Sequence, residues 1–233
     1  MPLSKKGRGG RRVRARVGVA VLALLGGVLL LASCPTTDEP ISRPGSSTTT
    51  TGSPRENPAG IDSLVVAELS ADLAPYRRDA FGGDWAYDPV SGCNTRERVL
   101  IEESRTPAVV DDRCHPSSGQ WVSAYDGITT RDPADLQIDH FIPLADAWRS
   151  GAATWTPERR LAFANDLTSP LTLIAVYGRT NESKSDSTPD QWLPPDEGAW
   201  CAYARNWVTV KHRWALTVTP PERATLAKIL KDC

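Results

Sequence analysis

Asp139 and His140 stand side by side in Gln137-Ile138-Asp139-His140-Phe141-Ile142-Pro143, at the end of a short apolar-alternating run. Further along, Asn181-Glu182-Ser183-Lys184-Ser185-Asp186 forms a second polar cluster. These residue types suit hydrolysis of a phosphodiester. An imidazole titrates near neutrality and can take a proton from an attacking water. The phosphate oxygens and the leaving oxygen gain negative charge, which a divalent cation stabilises. Mg²⁺ takes oxygen ligands and keeps several waters, so one carboxylate and one carboxamide suffice beside the substrate phosphate. The same pair also has a plain structural reading, with His140 a core histidine and Asp139 a cap for a helix starting at Pro143.

The segments between and around these clusters must bring them together. Leu136–Ile142 alternates enough to be a strand, and Leu171–Val176 is an apolar, β-rich strand that can pair with it. Adjacent side chains on a strand point to opposite faces, so Asp139 and His140 converge only where the strand bends or ends. Two helices lie between the strands. One opens at Pro143-Leu144 and closes at Gly151, and the other starts at Thr156 as N-cap with Pro157 as first residue and runs to about Asn165. Asn181–Gln191 follows as a helix or helical turn. Upstream, Ile61–Leu73 has an amphipathic helical spacing, and Asn94 with Glu97 forms a capping-box pattern at the start of a helix ending near Glu103. Arg96, in its first turn, opposes the helix dipole and therefore seeks a carboxylate or a phosphate unless it is solvated. Asp126-Gly127 between Trp121–Tyr125 and Ile128–Thr130 signals a hairpin with a type I′ turn. Trp200, Tyr203, Trp207, Val210 and Trp214 form a core-facing stripe on a C-terminal helix, and Thr219-Pro220-Pro221-Glu222 caps a last one ending at Cys233. Neither His115 nor His212 has an obvious partner, and Arg159 and Arg160 read as a solvated helix face or a contact to a substrate backbone.

The chain begins differently. Seven basic residues between Lys5 and Arg16 precede an uncharged apolar run, Val17–Leu31. That run is short for a membrane span of about 20 residues and suits an export signal. It ends in Leu31-Ala32-Ser33-Cys34, which resembles the lipobox of bacterial lipoproteins and implies lipidation at Cys34 and a membrane anchor. An ordinary cleaved signal peptide with Cys34 incidental is the alternative. Residues 35–60, rich in Pro, Ser, Thr and Gly, read as a disordered linker, and residues 61–233 as one domain. The whole chain has 27 Lys/Arg and 28 Asp/Glu; residues 1–34 hold seven of the basic residues and none of the acidic, leaving 20 against 28, a net charge of −8. That balance argues against a non-specific polyanion binder. Four cysteines remain in the domain. None has zinc-like spacing, and in an exported chain they imply two disulfides, with the sequence-local pairs Cys93–Cys114 and Cys201–Cys233 favoured.

Several stretches together resemble the HNH (ββα-metal) endonucleases, and more closely the C-terminal HNH domain of GmrSD-type endonucleases with its small exported actinobacterial members. They are Cys93-Asn94-Thr95-Arg96, Ile138–Leu144, Phe163-Ala164-Asn165-Asp166-Leu167, Asn181–Asp186 with Pro189–Pro195, and Trp207–Leu216. The resemblance implies an α+β fold with a ββα-metal core, a helical insertion and C-terminal helices, stapled by disulfides. It implies His140 as general base, Asp139 and Asn181 as metal ligands, and Asn165 as the structural asparagine that orients the histidine's loop. Arg96 and Lys184 join the catalytic set as phosphate contacts, and Asp186 joins the metal shell or orients Lys184. A true His-Asn-His motif ends in histidine; Asn181 stands there instead, which favours Mg²⁺, or Mn²⁺, over Zn²⁺. The expected activity is metal-dependent hydrolysis of DNA, with RNA as the alternative substrate, outside the cytoplasm, by a secreted or cell-surface protein. The alternatives are a surface lipoprotein binding a ligand on an HNH-like scaffold and, with no supporting acidic pair, a peptidoglycan hydrolase.

Overall fold

The structure, a computed structural model, describes residues 60–233 except Ala71. The signal segment 1–34 with Cys34, and the linker expected over 35–60 apart from Gly60, lie outside the described residues. Among the described residues no helix is long and apolar enough to cross a membrane.

The domain is mixed α and β. Its strands form four antiparallel two-stranded ladders: β1 (Tyr87–Asp88) with β2 (Cys93–Asn94), β3 (Val109–Val110) with β4 (Pro116–Ser118), β5 (Trp121–Val122) with β6 (Thr129–Thr130), and β7 (Leu136–His140) with β8 (Leu173–Tyr177). The helices are α1 (Thr95–Glu103), α2 (Leu144–Arg149), α3 (Pro157–Ala164), α4 (Gly178–Lys184), α5 (Trp200–Trp214) and α6 (Pro220–Lys231).

The β7–β8 ladder is central because both of its faces are covered. Ile138 pairs with Ala175, Asp139 with Ile174 and His140 with Leu173. Leu136, Ile138, Leu173 and Ala175 pack with Val99 and Leu100 of α1 and with Trp121. Ile174 and Val176 belong instead to the larger core, with Phe141, Tyr203, Trp207 and Leu226. A ladder buried on both sides reads in sequence as a near-continuous apolar run, as Leu173–Val176 does. α2 and α3 form the insertion between the two strands, and α4 follows β8 directly. At the β8–α4 junction, a Cβ on Gly178 would lie 3.3 Å from Gln137 Nε2 and 3.4 Å from the Asp135 carbonyl, so the backbones approach closely there.

Several local expectations match the elements observed. Asn94 and Glu97 exchange both hydrogen bonds of a capping box, Thr156 caps α3, and Thr219 with Glu222 caps α6. Tyr203, Trp207 and Val210 are in the core. The disulfides join Cys93 to Cys114 and Cys201 to Cys233.

Others differ. The helix expected over Ile61–Leu73 is one 3-10 turn, Ile61–Ser63, followed by extended chain. Val66 bridges Val218, with Ala67 N donating to Val218 O at 2.9 Å and Val218 N to Val65 O at 2.9 Å. These pairings give the backbone polar groups partners, and β-branched Val65 and Val66 favour the extended form. The Asp126-Gly127 hairpin forms, but only Gly127 has a positive φ, so the turn is not type I′, which needs two. The helix expected from Asn181 starts earlier, at Gly178, and ends at Lys184. His115 has partners after all: Glu97 at 3.2 Å and Asp111 at 3.3 Å.

Candidate active site

Asp139, His140 and Asn181 line one open cleft of about 450 Å³, together with Tyr76, Arg78, Glu182 and Asp186. β7 ends at His140, and the chain turns through Pro143 into α2, so the neighbouring acid and imidazole reach the same space. α4 brings Asn181 in from the other strand. It is held by the β5–β6 turn, where Thr180 Oγ1 donates to Asp126 and Tyr177 N donates to Ser123 Oγ at 3.1 Å.

His140 is buried, its ring stacked on Trp85 at 5.1 Å between centroids and 12° between planes. Its Nε2 lies 2.9 Å from the Ala164 carbonyl oxygen. A carbonyl only accepts, so Nε2 carries the proton and Nδ1 is the basic nitrogen. Among the described residues Nδ1 has no hydrogen-bond partner, and His140 lines the cleft. Burial, opposed by the Ala164 hydrogen bond and assisted by the nearby charges of Arg78 and Lys184, lowers the His140 pKa to about 3. The imidazole is therefore neutral at neutral pH, and its value lies below the near-neutral one expected from the sequence because burial disfavours the cation.

Ala164 is fixed by its neighbour. Asn165 Oδ1 accepts from Ala86 N and from Thr95 Oγ1, each at 2.8 Å, and Asn165 Nδ2 donates to Leu161 O at 3.1 Å. The asparagine thus ties the end of α3 to α1 and to the loop carrying Trp85, and does not itself face the cleft.

Asp139 is embedded in a polar network. Lys184 Nζ lies 3.0 Å from Oδ1 and 2.8 Å from Oδ2, and Tyr125 donates its hydroxyl to Oδ2 at 2.6 Å. Lys184 also donates to the His140 carbonyl at 3.2 Å. Burial, together with the adjacent Asp139 charge, pushes the Tyr125 phenol well above its ordinary value, so it remains a donor. Asn181 Nδ2 donates to Gln137 Oε1 at 2.8 Å, which fixes the amide and leaves its oxygen as the acceptor.

Three expected roles meet a different geometry. Lys184 is fully buried and committed to Asp139, so it cannot reach a phosphate in the cleft. Arg96 donates to the carbonyls of Pro133 and Leu136 at 3.3 and 3.2 Å, bracing the entry to β7 rather than facing the cleft. Asp186 lines the cleft but is ion-paired to Arg149 at 3.0 Å, and that hydrogen bond holds its carboxyl below the usual range. Of the Arg159–Arg160 pair, Arg159 lies over Trp155 and donates to Trp214 O, while Arg160 donates to Ala80 O. Sequence reasoning missed Tyr125, Trp85 and Arg78. Tyr125 lies beside the predicted Asp126-Gly127 turn, and only the fold shows which polar group it meets.

Among the described residues no group of three or more His, Cys, Asp or Glu is arranged to hold a metal. The cleft is lined by the carboxylates of Asp139, Glu182 and Asp186 and the carboxamide of Asn181, with no thiolate; Asp186 is paired with Arg149 and Glu182 accepts from Gln137. A carboxylate offers about four lone-pair sites. The Lys184 and Tyr125 contacts take three, leaving Asp139 Oδ1 and the Asn181 oxygen free to bind. That set fits a hard cation that keeps water and takes substrate oxygens, and not a closed zinc site.

A small disulfide-stapled α+β domain with a neutral, oriented histidine beside a carboxylate in an open cleft is built like a hydrolase. Residues 101–229 match the family model of the GmrSD restriction endonucleases, C-terminal domain, and the chain belongs to that family. The matched region contains the whole β7–β8–α4 unit but not Arg78, Trp85 or Arg96. The chain is also 45% identical over 159 residues to an uncharacterised secreted protein of Arthroderma benhamiae, covering 68% of this chain and 76% of that one. No solved structure matches it significantly.

Proposed function

We propose that the protein is a metal-dependent HNH-type endonuclease that hydrolyses phosphodiester bonds of DNA outside the cytoplasm. One observation carries the reading: His140 Nε2 donates to the Ala164 carbonyl, which leaves Nδ1 as the basic nitrogen in a cleft shared with Asp139 and Asn181. The order β7, β8, α4 is that expected of a ββα-metal core. Nδ1 takes the proton of a water whose oxygen attacks phosphorus, and the bond from phosphorus to the leaving oxygen breaks. Asp139 and Asn181 would hold a divalent cation, Mg²⁺ or Mn²⁺, which supplies stabilisation of the charge on the phosphate and leaving oxygens. Asn165 and Trp85 keep the imidazole in place. Lys184 and Tyr125 hold Asp139 in position. Export fits the basic and apolar start of the chain, the disulfides, and the secreted relative.

The ligand-binding alternative draws on one observation, the Lys184 ammonium occupying the Asp139 carboxylate. Supercoiled plasmid DNA and a labelled RNA, incubated with the full chain and Mg²⁺ or Mn²⁺ with and without EDTA, separate the two. The nuclease reading expects metal-dependent cleavage that EDTA abolishes. The binding reading expects none.

A further inference from the structure

The cleft wall contributed by residues 76–85 precedes the matched family region. Its backbone is pinned. Phe81 is buried against Phe163 and Trp148, with centroids 6.2 and 6.3 Å away. Trp148 Nε1 donates to the Ala74 carbonyl at 2.8 Å, and Arg160 Nε to the Ala80 carbonyl at 2.9 Å. Gly82, at φ 97°, reverses the chain toward Trp85, which stacks on His140.

Arg78 opens this pinned 3-10 turn, and its side chain is exposed. It lines the cleft with Asp139, His140 and Asn181, and also lines a second, smaller cavity with Trp85 and His140. The nearby Asp79 is already engaged: Arg77 Nε and Nη2 reach its two oxygens at 3.1 and 2.7 Å. Among the described residues Arg78 makes no ion pair and no hydrogen bond. The cations that pair with the cleft's carboxylates are neutralised, Lys184 by Asp139 and Arg149 by Asp186. The domain is acidic overall, so a guanidinium without a carboxylate, placed beside the base by a rigid turn, stands out as a free anion-binding group.

We propose that Arg78 is a catalytic residue that grips two oxygens of the phosphodiester under attack. The planar fork of arginine matches a pair of phosphate oxygens, which a lysine point charge does not. Such a contact also explains how a chain of net negative charge holds a polyanion at the reacting phosphate: one local, uncompensated cation replaces an extended basic patch. The proposal rests on the nuclease reading and adds to it a residue outside the matched region.

The test compares the full chain with its Arg78→Ala, Arg78→Gln, Arg78→Lys and Arg77→Ala variants. Initial rates are measured on a labelled DNA duplex with Mg²⁺ at several NaCl concentrations. Losing a charged hydrogen bond to the transition state lowers kcat/KM by about 10–100-fold in Arg78→Ala and Arg78→Gln. The slope of log(1/KM) against log[NaCl] becomes shallower by about 0.9, the contribution of one phosphate contact. Arg78→Lys keeps that slope but recovers only part of the rate, and Arg77→Ala, which releases Asp79 to pair with Arg78, also lowers the rate. Unchanged kinetics in Arg78→Ala and Arg78→Gln, or full recovery by Arg78→Lys, would overturn the paired contact while leaving the nuclease reading intact. A wild type that cleaves nothing would overturn that reading, and this one with it.

Discussion

Among the described residues two lysines are fully buried, and their surroundings differ. Lys211, on α5, lies 2.9 Å from Asp146 and 2.7 Å from Glu222, and donates to Ser150 Oγ and the Thr217 carbonyl, each at 3.0 Å. It joins α2, α5 and α6 deep in the helical scaffold. Lys184 has one carboxylate, Asp139, which lines the open cleft. The scaffold lysine has two carboxylates; the cleft lysine shares its single carboxylate with Tyr125 and with whatever enters the cleft. A buried ammonium therefore serves as a closed structural node in one place and as a positioning group in the other.

The largest effect should come from Lys211→Met. It strands Asp146 and Glu222 together without a cation, and breaking such a buried cluster typically costs about 3–5 kcal/mol. Urea denaturation checks the value. Lys184→Met should cost less, about 1–3 kcal/mol, because water from the cleft can solvate the Asp139 carboxylate. Equal losses from the two substitutions would break the comparison.

Glu103, half-buried, shows a third arrangement, in which burial favours the protonated carboxyl. Beneath β8, where it accepts from Ala175 N at 2.9 Å, burial pushes its pKa from 4.5 up to about 7. The native state then holds a proton that the unfolded chain releases. The stabilisation is fully present below pH 4.5 and is lost as pH rises through about 7. The loss across that window is on the order of 3 kcal/mol, and Glu103→Gln should remove it. Stability measured at pH 5 and pH 8 in both proteins checks the sign.

The smallest effect belongs to Tyr125→Phe. It removes one hydrogen bond to Asp139 but keeps the ring packed against Phe141, Trp192 and Tyr203, and should cost about 1 kcal/mol. A loss as large as that from Lys184→Met would mean that Tyr125, and not the lysine, is the main support of Asp139.

What the sequence made legible follows from the range of each interaction. The caps of α1, α3 and α6 depend on residues three apart, and their residue types alone announce them. The β7–β8 pairing was legible because both strands carry enough apolar residues to read as buried. The extended Val65–Ala67 segment was not, because its partner, Val218, is distant in the chain. Lys184 lies in a run of polar residues that reads as exposed, and nothing local reveals that Asp139 holds it in the core. Arg78 was equally hidden. Its freedom arises because Arg77 takes Asp79, and its position arises because Phe81 anchors the turn against α2 and α3.

The central claim is that His140 Nδ1 takes the proton of the attacking water. The direct measurement is single-turnover cleavage of plasmid DNA with Mg²⁺ by the wild type and by His140→Ala, with thermal unfolding followed in parallel. A rate lower by about 10²–10⁴-fold in a variant that remains folded is the predicted result. Equal rates in the two proteins would contradict the account.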